Sequence, residues 1–136
     1  MSNFRIFGTA LALLAFTAQP IQSAHAEDSA VVVPLMSKDL ADMPGKEMLM
    51  ITVAYPPGHV EAIHRHDAHA IVYVLEGSVV MGVRGGKEIT LTPGQTFYEG
   101  PNDVHTVGRN ASTTKPAKLV VVLLKKKGAD VVLPAE

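Results

Sequence analysis

Histidines that could bind one metal ion together are concentrated in a short stretch of the chain. Four of the six histidines lie within the eleven residues 59–69. His64 and His66 are two residues apart, and residues with that spacing point to the same face of a β-strand, with their Cα atoms ~6.7 Å apart. Both imidazoles can therefore reach the same ion. Such a pair also occurs on hydrated surfaces, so the pair alone does not establish a metal site.

The composition restricts the kinds of site and partner that the chain can have. Its 136 residues contain no cysteine, which excludes a disulfide framework and thiolate coordination. Any metal must therefore be held by nitrogen and oxygen ligands. The formal net charge is −1, and the one basic run, residues 125–127, is too short for a surface that follows phosphates. We expect a solvated strand end there and no nucleic-acid partner.

The first 26 residues have the pattern of a secretory signal peptide. Arg5 lies near the amino terminus, the thirteen residues 6–18 are almost uncharged and apolar, and residues 24–26 read Ala-His-Ala, a small-x-small cleavage sequence. The apolar run is shorter than the ~20 residues that a membrane-spanning helix needs. We expect cleavage before Glu27, a periplasmic or secreted mature protein, and no membrane anchor after cleavage.

Residues 27–136 read as one domain of short β-strands. Runs of branched and aromatic residues alternate with turn residues, and no segment has sustained helical periodicity. Two adjacent glycines at residues 85–86 indicate a hairpin. Residues 110–115 have the composition of a polar loop, and the aliphatic run 118–124 is typical of a strand buried on both faces. The predicted strands are 47–55, 71–75, 79–83, 88–91, 95–99 and 118–124. This pattern predicts an all-β sandwich or barrel.

Two motifs in this chain resemble the pair of motifs that identifies the cupin family. Residues 58–77 read Gly, five residues, His-x-His, three residues, Ala70, six residues, Gly, and the family motif has glutamate where Ala70 stands. Residues 94–110 read Gly, five residues, Gly-Pro-Asn, two residues, His105, with Asn110 one place late. Asn102 replaces a glycine of the family motif, and we expect its tolerance of a left-handed backbone to preserve the turn before His105.

The resemblance implies a double-stranded β-helix, or jelly-roll barrel, with the site in its mouth. In such a barrel His64 and His66 would point inward from one strand, and His105 would point inward from a facing strand across the barrel. Three nitrogen ligands would then hold one divalent ion, which could be iron, nickel, copper, zinc or manganese, and would leave open positions.

The vacant glutamate position at Ala70 raises the question of a fourth ligand. His69 is the candidate, although neighbouring residues of a regular strand face opposite ways and only a bulge would turn His69 towards the metal. Without a carboxylate ligand, we expect hard metals such as manganese to bind relatively weakly. Each ligand histidine also needs an acceptor for its second nitrogen, for which Asp67, Glu99 and Asp103 are candidates.

The activity stays open at this point because cupins include dioxygenases, isomerases, decarboxylases, sugar binders and proteins without demonstrated chemistry. An all-histidine site with open positions favours a metal-dependent oxidoreductase, in particular a dioxygenase, that acts on a small organic molecule. The missing acidic ligand and the lack of an obvious inward acid or base favour a non-catalytic protein that binds a small molecule or a metal. Because the edges of an open jelly roll must be covered or paired, we expect a homodimer.

Overall fold

The computed structural model describes residues 29–135, so the expected signal peptide lies outside the described residues. The elements named in this part of the chain are ten β-strands. In chain order they are β1 (Val31–Asp39), β2 (Lys46–Tyr55), β3 (His64–Arg65), β4 (Ala68–Glu76), β5 (Val79–Val83), β6 (Ile89–Leu91), β7 (Thr96–Glu99), β8 (Val104–Asn110), β9 (Ala117–Lys126) and β10 (Leu133–Pro134). Within residues 29–135, no helix has the length and apolar character that crossing a membrane requires.

Two five-stranded antiparallel sheets form the fold. Sheet A has the strand order β1-β2-β9-β4-β7, and sheet B has the order β10-β3-β8-β5-β6. Strands that follow each other in the chain often lie in different sheets, so the chain passes back and forth between the sheets. The predicted all-β fold, a double-stranded β-helix, is confirmed.

Alternation along the strands of sheet A places the core between the two sheets. In β4, for example, Ala70 and Val72 are buried while Ile71 and Tyr73 are exposed. The prediction that residues 118–124 are buried on both faces is wrong, because the outward residues of β9 are only half-buried. Sheet B covers one face of sheet A, and the loop residues Leu40 and Met43 border part of the other face near Ile71. The outer face is nevertheless apolar.

The turn before His105 differs from the expected one. Among the described residues only glycines have positive φ angles, so Asn102 does not adopt the left-handed conformation. Instead, the amide of Asp103 donates to the Gly100 carbonyl at 3.1 Å. The Asp103 carboxylate accepts a hydrogen bond from the Gly100 amide at 2.7 Å. A side chain that closes the turn has therefore replaced the special backbone conformation that the motif comparison suggested.

Lys125 does not lie at a solvated strand end as the sequence suggested. Its side chain is turned inward by the alternation along β9 and is only 3% exposed. The ammonium group is paired with the Glu47 carboxylate and donates to the Ala129 carbonyl. Both partners are needed, because a buried charge is tolerated only when it is paired and hydrogen-bonded. The next residue, Lys126, is exposed.

The side chain of Asn110, at the end of β8, connects the end of β2 to the loop that follows β8. Its side-chain amide nitrogen lies within hydrogen-bond distance of the carbonyls of Tyr55, Pro56 and Lys115, at 3.3, 3.0 and 2.8 Å. Its side-chain oxygen accepts from the Ser112 amide at 2.9 Å. Asn110 is 5% exposed, so these backbone groups depend on it rather than on water.

We expect the substitution Asn110→Ala to lower the free energy of unfolding by about 2–4 kcal/mol, because it leaves buried backbone groups without partners. Urea denaturation followed by circular dichroism measures this change. Thr113→Ala, in the exposed part of the same loop, is the control and should change stability by less than ~0.5 kcal/mol. Equal effects of the two substitutions would contradict a structural role for Asn110.

Candidate metal centre

Three histidines from one end of sheet B meet in the space between the sheets. Strands β3 and β8 pair so that His64 lies directly opposite His105, which puts both side chains on the same face. His66 follows at the end of β3, and the candidate ligand atoms of the three histidines lie within 4.8 Å of one another. His105 therefore comes from the strand next to His64, not from across the barrel as expected from the sequence. His64 and His105 are 7% and 3% exposed.

The second ring nitrogen of each of these histidines donates to a backbone carbonyl. The bonds run from His64 Nδ1 to Ala62 at 2.8 Å, from His66 Nδ1 to Val131 at 2.6 Å and from His105 Nε2 to Val107 at 2.6 Å. These bonds leave the unprotonated nitrogens Nε2 of His64, Nε2 of His66 and Nδ1 of His105 directed at one small volume. Hydrogen bonds of this kind orient metal-binding histidines.

The carboxylates that the sequence suggested as acceptors do not serve in this way. Asp67 is exposed, and Asp103 accepts from the Gly100 amide. Glu99 faces the unprotonated nitrogens of His66 and His105 rather than their N–H groups. Backbone carbonyls took this role because segments before β3, within β8 and before β10 bring them within reach, a proximity that the residue types do not indicate.

The structure does not bring His69 to this cluster. Strand β4 pairs regularly with β9 from Ala68 to Val74, so no bulge reverses the direction of His69. The side chain is exposed on the outer face, where Nδ1 lies 2.6 Å from the Tyr98 hydroxyl. The ligand set expected from the sequence is corrected accordingly to the three clustered histidines.

Glu99 reaches the cluster from sheet A, although the sequence suggested it only as an acceptor for a histidine N–H group. One of its carboxylate oxygens, Oε2, lies 3.5 Å from His105 Nδ1 and 3.6 Å from His66 Nε2. Burial, together with the nearby carboxylates of Glu61 and Asp103, raises the pKa of Glu99 to about 7. The sequence offered one indication that Glu99 points inward. Glu99 lies two residues after Phe97 in β7, so the two side chains point to the same face of the strand.

The donor set fits a divalent cation. Burial lowers the pKa of His105 to about 4, and burial followed by the proximity of His64 lowers the pKa of His66. Both rings are therefore neutral at neutral pH. His105 Nδ1 and Glu99 Oε2 are buried and lack a hydrogen-bond partner among the described residues. Nε2 of His64 and Nε2 of His66 are 3.2 Å apart, and two ligands of one ion at ~2.1 Å lie ~3.0–3.4 Å from each other.

A second carboxylate, that of Glu61, lies at the edge of the cluster. Its Oε2 is 3.8 Å from His64 Nε2, and its side chain is 22% exposed. Burial and the interaction with Glu61 raise the pKa of the Tyr55 hydroxyl well above its ordinary value, so this group stays protonated. The expectation that no acid or base points inward is therefore wrong.

The histidine cluster lies on the wall of an apolar cavity of about 260 Å³. Twelve of the eighteen residues that line it are aliphatic, methionine or proline, including Leu49, Ile51 and Met81. Glu61, Glu99 and the three histidines provide most of the polar lining. Gly108 adjoins the cluster, where a β-carbon would lie 2.9 Å from Cε1 of His105, so the absence of a side chain makes room for this ring.

Solved structures similar to this chain share its fold. The TT1209 protein of Thermus thermophilus is 27% identical, with coverage of 74% of this chain and 88% of that chain and a TM-score of 0.58. An oxalate oxidase in complex with glycolate is 22% identical, with coverage of 80% of this chain and 56% of that chain and a TM-score of 0.61. The DMSP lyase DddQ of Ruegeria pomeroyi DSS-3 is 20% identical, with coverage of 63% of this chain and 42% of that chain and a TM-score of 0.55.

This chain spans less than half the length of DddQ and of a second DMSP lyase structure, of which it covers 42% and 44%. No curated protein matches it. The family model described as the cupin domain matches residues 51–123, more than half of the chain. The matched segment includes all three clustered histidines and Glu99, and the protein accordingly belongs to the cupin family.

Proposed function

We propose that this protein is a metal-dependent oxidoreductase of the dioxygenase class that acts on a small organic molecule. The observation that carries the proposal is the convergence of three histidine nitrogens on one buried point in the wall of an apolar cavity. Three protein nitrogens leave coordination positions open, which is the arrangement of a catalytic rather than a structural metal. A bound ion of the iron, nickel, copper, zinc or manganese type would supply Lewis-acid or redox chemistry there.

The cavity indicates the class of substrate. Its volume of about 260 Å³ is below the ~300–1,000 Å³ that is usual for pockets that bind drug-sized ligands. Aliphatic walls such as Leu49, Ile51 and Val121 favour a compact molecule with an apolar body. The polar groups all lie at the histidine cluster, so a single polar head, such as a carboxylate or hydroxyl, would be directed to that point.

The residues around the cluster would orient the reactants and handle protons. The carbonyls of Ala62, Val131 and Val107 hold the imidazoles in one tautomer and orientation. Glu61, whose Oε2 is 3.8 Å from His64 Nε2, is placed to accept a proton from a substrate bound beside the cluster. The protonated Tyr55 hydroxyl interacts with Glu61 and would orient its carboxylate. The apolar walls would exclude bulk water.

A non-catalytic role in binding a small molecule is the second candidate. It is favoured by the predominance of apolar groups in the cavity, twelve of eighteen lining residues, which leaves few side chains for chemistry. The similar folds do not decide between the two functions. An oxalate oxidase and DMSP lyases are among the neighbours, so this fold supports both redox and non-redox activities.

We expect the purified protein to bind one divalent ion per chain and to consume dioxygen with a member of a panel of small carboxylic acids and alcohols. His66→Ala and His105→Ala should lose both properties, because each removes a ligand nitrogen, while the fold persists on its apolar core. His69→Ala, on the outer face, is the matched control and should retain both. Elemental analysis, oxygen-electrode measurements and circular dichroism provide the readouts.

Two results would contradict this proposal. Full metal occupancy in both His66→Ala and His105→Ala would show that the cluster is not the metal site. A ligand from the panel that raises the melting temperature of the metal-loaded protein, with no oxygen uptake for any compound, would establish the binding role instead.

We also propose that the protein is exported and works in the periplasm or outside the cell. The support is the apolar leader and the Ala-His-Ala sequence at residues 24–26. Intact-mass analysis of protein recovered from the exported fraction should give a chain that begins at Glu27. Retention of residues 1–26 on that material would contradict cleavage.

We further propose that a second copy of this chain covers the outer face of sheet A. On that face Ile71 pairs with Val122 and with Tyr98, and Ile71 and Tyr98 are 49% and 54% exposed. Val33 extends the apolar surface onto the edge strand β1. Large apolar surfaces are uncommon on monomers. A face with so few charges can pack against its own copy about a two-fold axis, the commonest symmetry of soluble oligomers.

We expect the wild-type protein to be a dimer and the Ile71→Lys variant to be a monomer, because the substitution places a charge in the middle of this interface. Light scattering coupled to size-exclusion chromatography measures the mass. Thr90→Lys, on an exposed position of sheet B, is the control and should stay dimeric. A monomeric wild type, or loss of the dimer in both variants, would contradict the assignment.

A further inference from the structure

We propose that Glu99 is a fourth metal ligand and that it takes the place of the glutamate that the cupin motif has at position 70. The inference rests on the proposed metal centre, but it does not depend on which reaction the centre performs. It assigns a direct role to a carboxylate that lies outside the first motif, on a different strand.

The strand register explains how one residue can replace the other. Strands β4 and β7 pair with Ala70 directly opposite Glu99. Side chains of directly opposite residues project from the same face of a sheet with their Cβ atoms ~4.5–5.5 Å apart. Both residues are on the inner face, since Ala70 is fully buried and Glu99 is 2% exposed. The small methyl group of Ala70 leaves space that the longer side chain of Glu99 can use.

The surroundings of the Glu99 carboxylate indicate a cation. Its buried Oε2 has no hydrogen-bond partner within residues 29–135, although a buried carboxylate is tolerated only when it is paired, protonated or bound to a metal. The nearest polar atoms are His105 Nδ1 at 3.5 Å and His66 Nε2 at 3.6 Å. Neither nitrogen carries a proton, because the other ring nitrogen of each histidine donates to a carbonyl.

The same distances argue against a direct hydrogen bond and for a shared ion. Separations of 3.5 and 3.6 Å exceed the usual ~2.7–3.2 Å of an N–H···O bond. They are close to the ~3.4 Å that separates two ligands in a tetrahedral site with bonds of ~2.1 Å. An ion between the four atoms would satisfy all of the unpartnered lone pairs at once.

Glu61 is the alternative carboxylate, and its position separates it from this role. Its Oε2 is 3.8 Å from a single histidine nitrogen, its side chain is 22% exposed, and it interacts with the Tyr55 hydroxyl. It therefore already has a polar partner and contact with solvent. Glu61 provides a matched control, since it is the same residue type at the edge of the same cluster.

A carboxylate ligand changes the expected choice of metal. From the sequence, hard metals were expected to bind weakly because position 70 has no acidic group. With three nitrogens and one Glu99 oxygen, the site should accept manganese or iron(II) as well as zinc, because oxygen ligands suit the harder ions. Removal of the carboxylate should therefore weaken manganese binding more than zinc binding.

Competition between Mn²⁺ and Zn²⁺ tests this inference without an activity assay. Equilibrium dialysis with elemental analysis, together with the electron paramagnetic resonance of bound Mn²⁺, gives the affinities. We expect Glu99→Ala and the isosteric Glu99→Gln to weaken Mn²⁺ binding by about 10–100-fold, with a smaller loss for Zn²⁺. Glu61→Gln should stay within about twofold of wild type. The double substitution Ala70→Glu with Glu99→Ala should restore most of the Mn²⁺ affinity, because either strand can present the carboxylate.

The outcomes separate this inference from the proposed function. Wild-type Mn²⁺ affinity in Glu99→Gln, combined with metal loss in His66→Ala, would overturn the role of Glu99 and leave the histidine site intact. Absence of any bound metal in the wild-type protein would overturn both. A failure of the double substitution to recover Mn²⁺ binding, in a protein whose circular dichroism is native, would overturn the equivalence of positions 70 and 99.

Discussion

The arrangement of unprotonated nitrogens around one buried point is the constraint on which the rest of the site depends. Nε2 of His64 and Nε2 of His66 face each other at 3.2 Å, and in neutral rings both are lone-pair atoms, since both Nδ1 atoms donate to carbonyls. Lone pairs at this separation repel, and burial removes the water that would otherwise solvate them. A cation relieves both effects. The backbone carbonyls matter because they prevent the rings from rotating to a less repulsive arrangement.

The surrounding fold can support this arrangement because most of its stability comes from apolar burial. Alternating strands of sheet A bury an aliphatic core, in which Val74, Leu119 and Leu123 are almost completely inaccessible. Such burial is worth about 1.5–3 kcal/mol for each large side chain. The polar cluster occupies one region of the space between the sheets and replaces only a small part of this core. A polar site that is unfavourable in isolation can therefore persist in a stable barrel.

Strand pairing also explains how a family motif can lose a ligand residue without losing the ligand type. Position 70 on β4 and position 99 on β7 are directly opposite each other on the inner face. Two positions of this kind have access to the same volume, so a carboxylate on either strand can approach the same point. The ligand pattern of a barrel is thus a property of its inner surface rather than of one linear segment. Motif matching along one strand cannot recognise such an exchange.

The sequence by itself determined the features that depend on local periodicity and residue type. Alternating runs and turn residues were sufficient for an all-β barrel and for strand β5 with its hairpin, and the spacing of His64, His66 and His105 identified the three residues that cluster. Tertiary structure decided what depends on pairing between distant segments. It placed His105 beside His64, turned Lys125 inward, kept His69 outside and brought Glu99 opposite Ala70. The physical reason is that strand register is set by contacts between residues far apart in the chain, and a shift of one residue reverses the face on which each side chain lies.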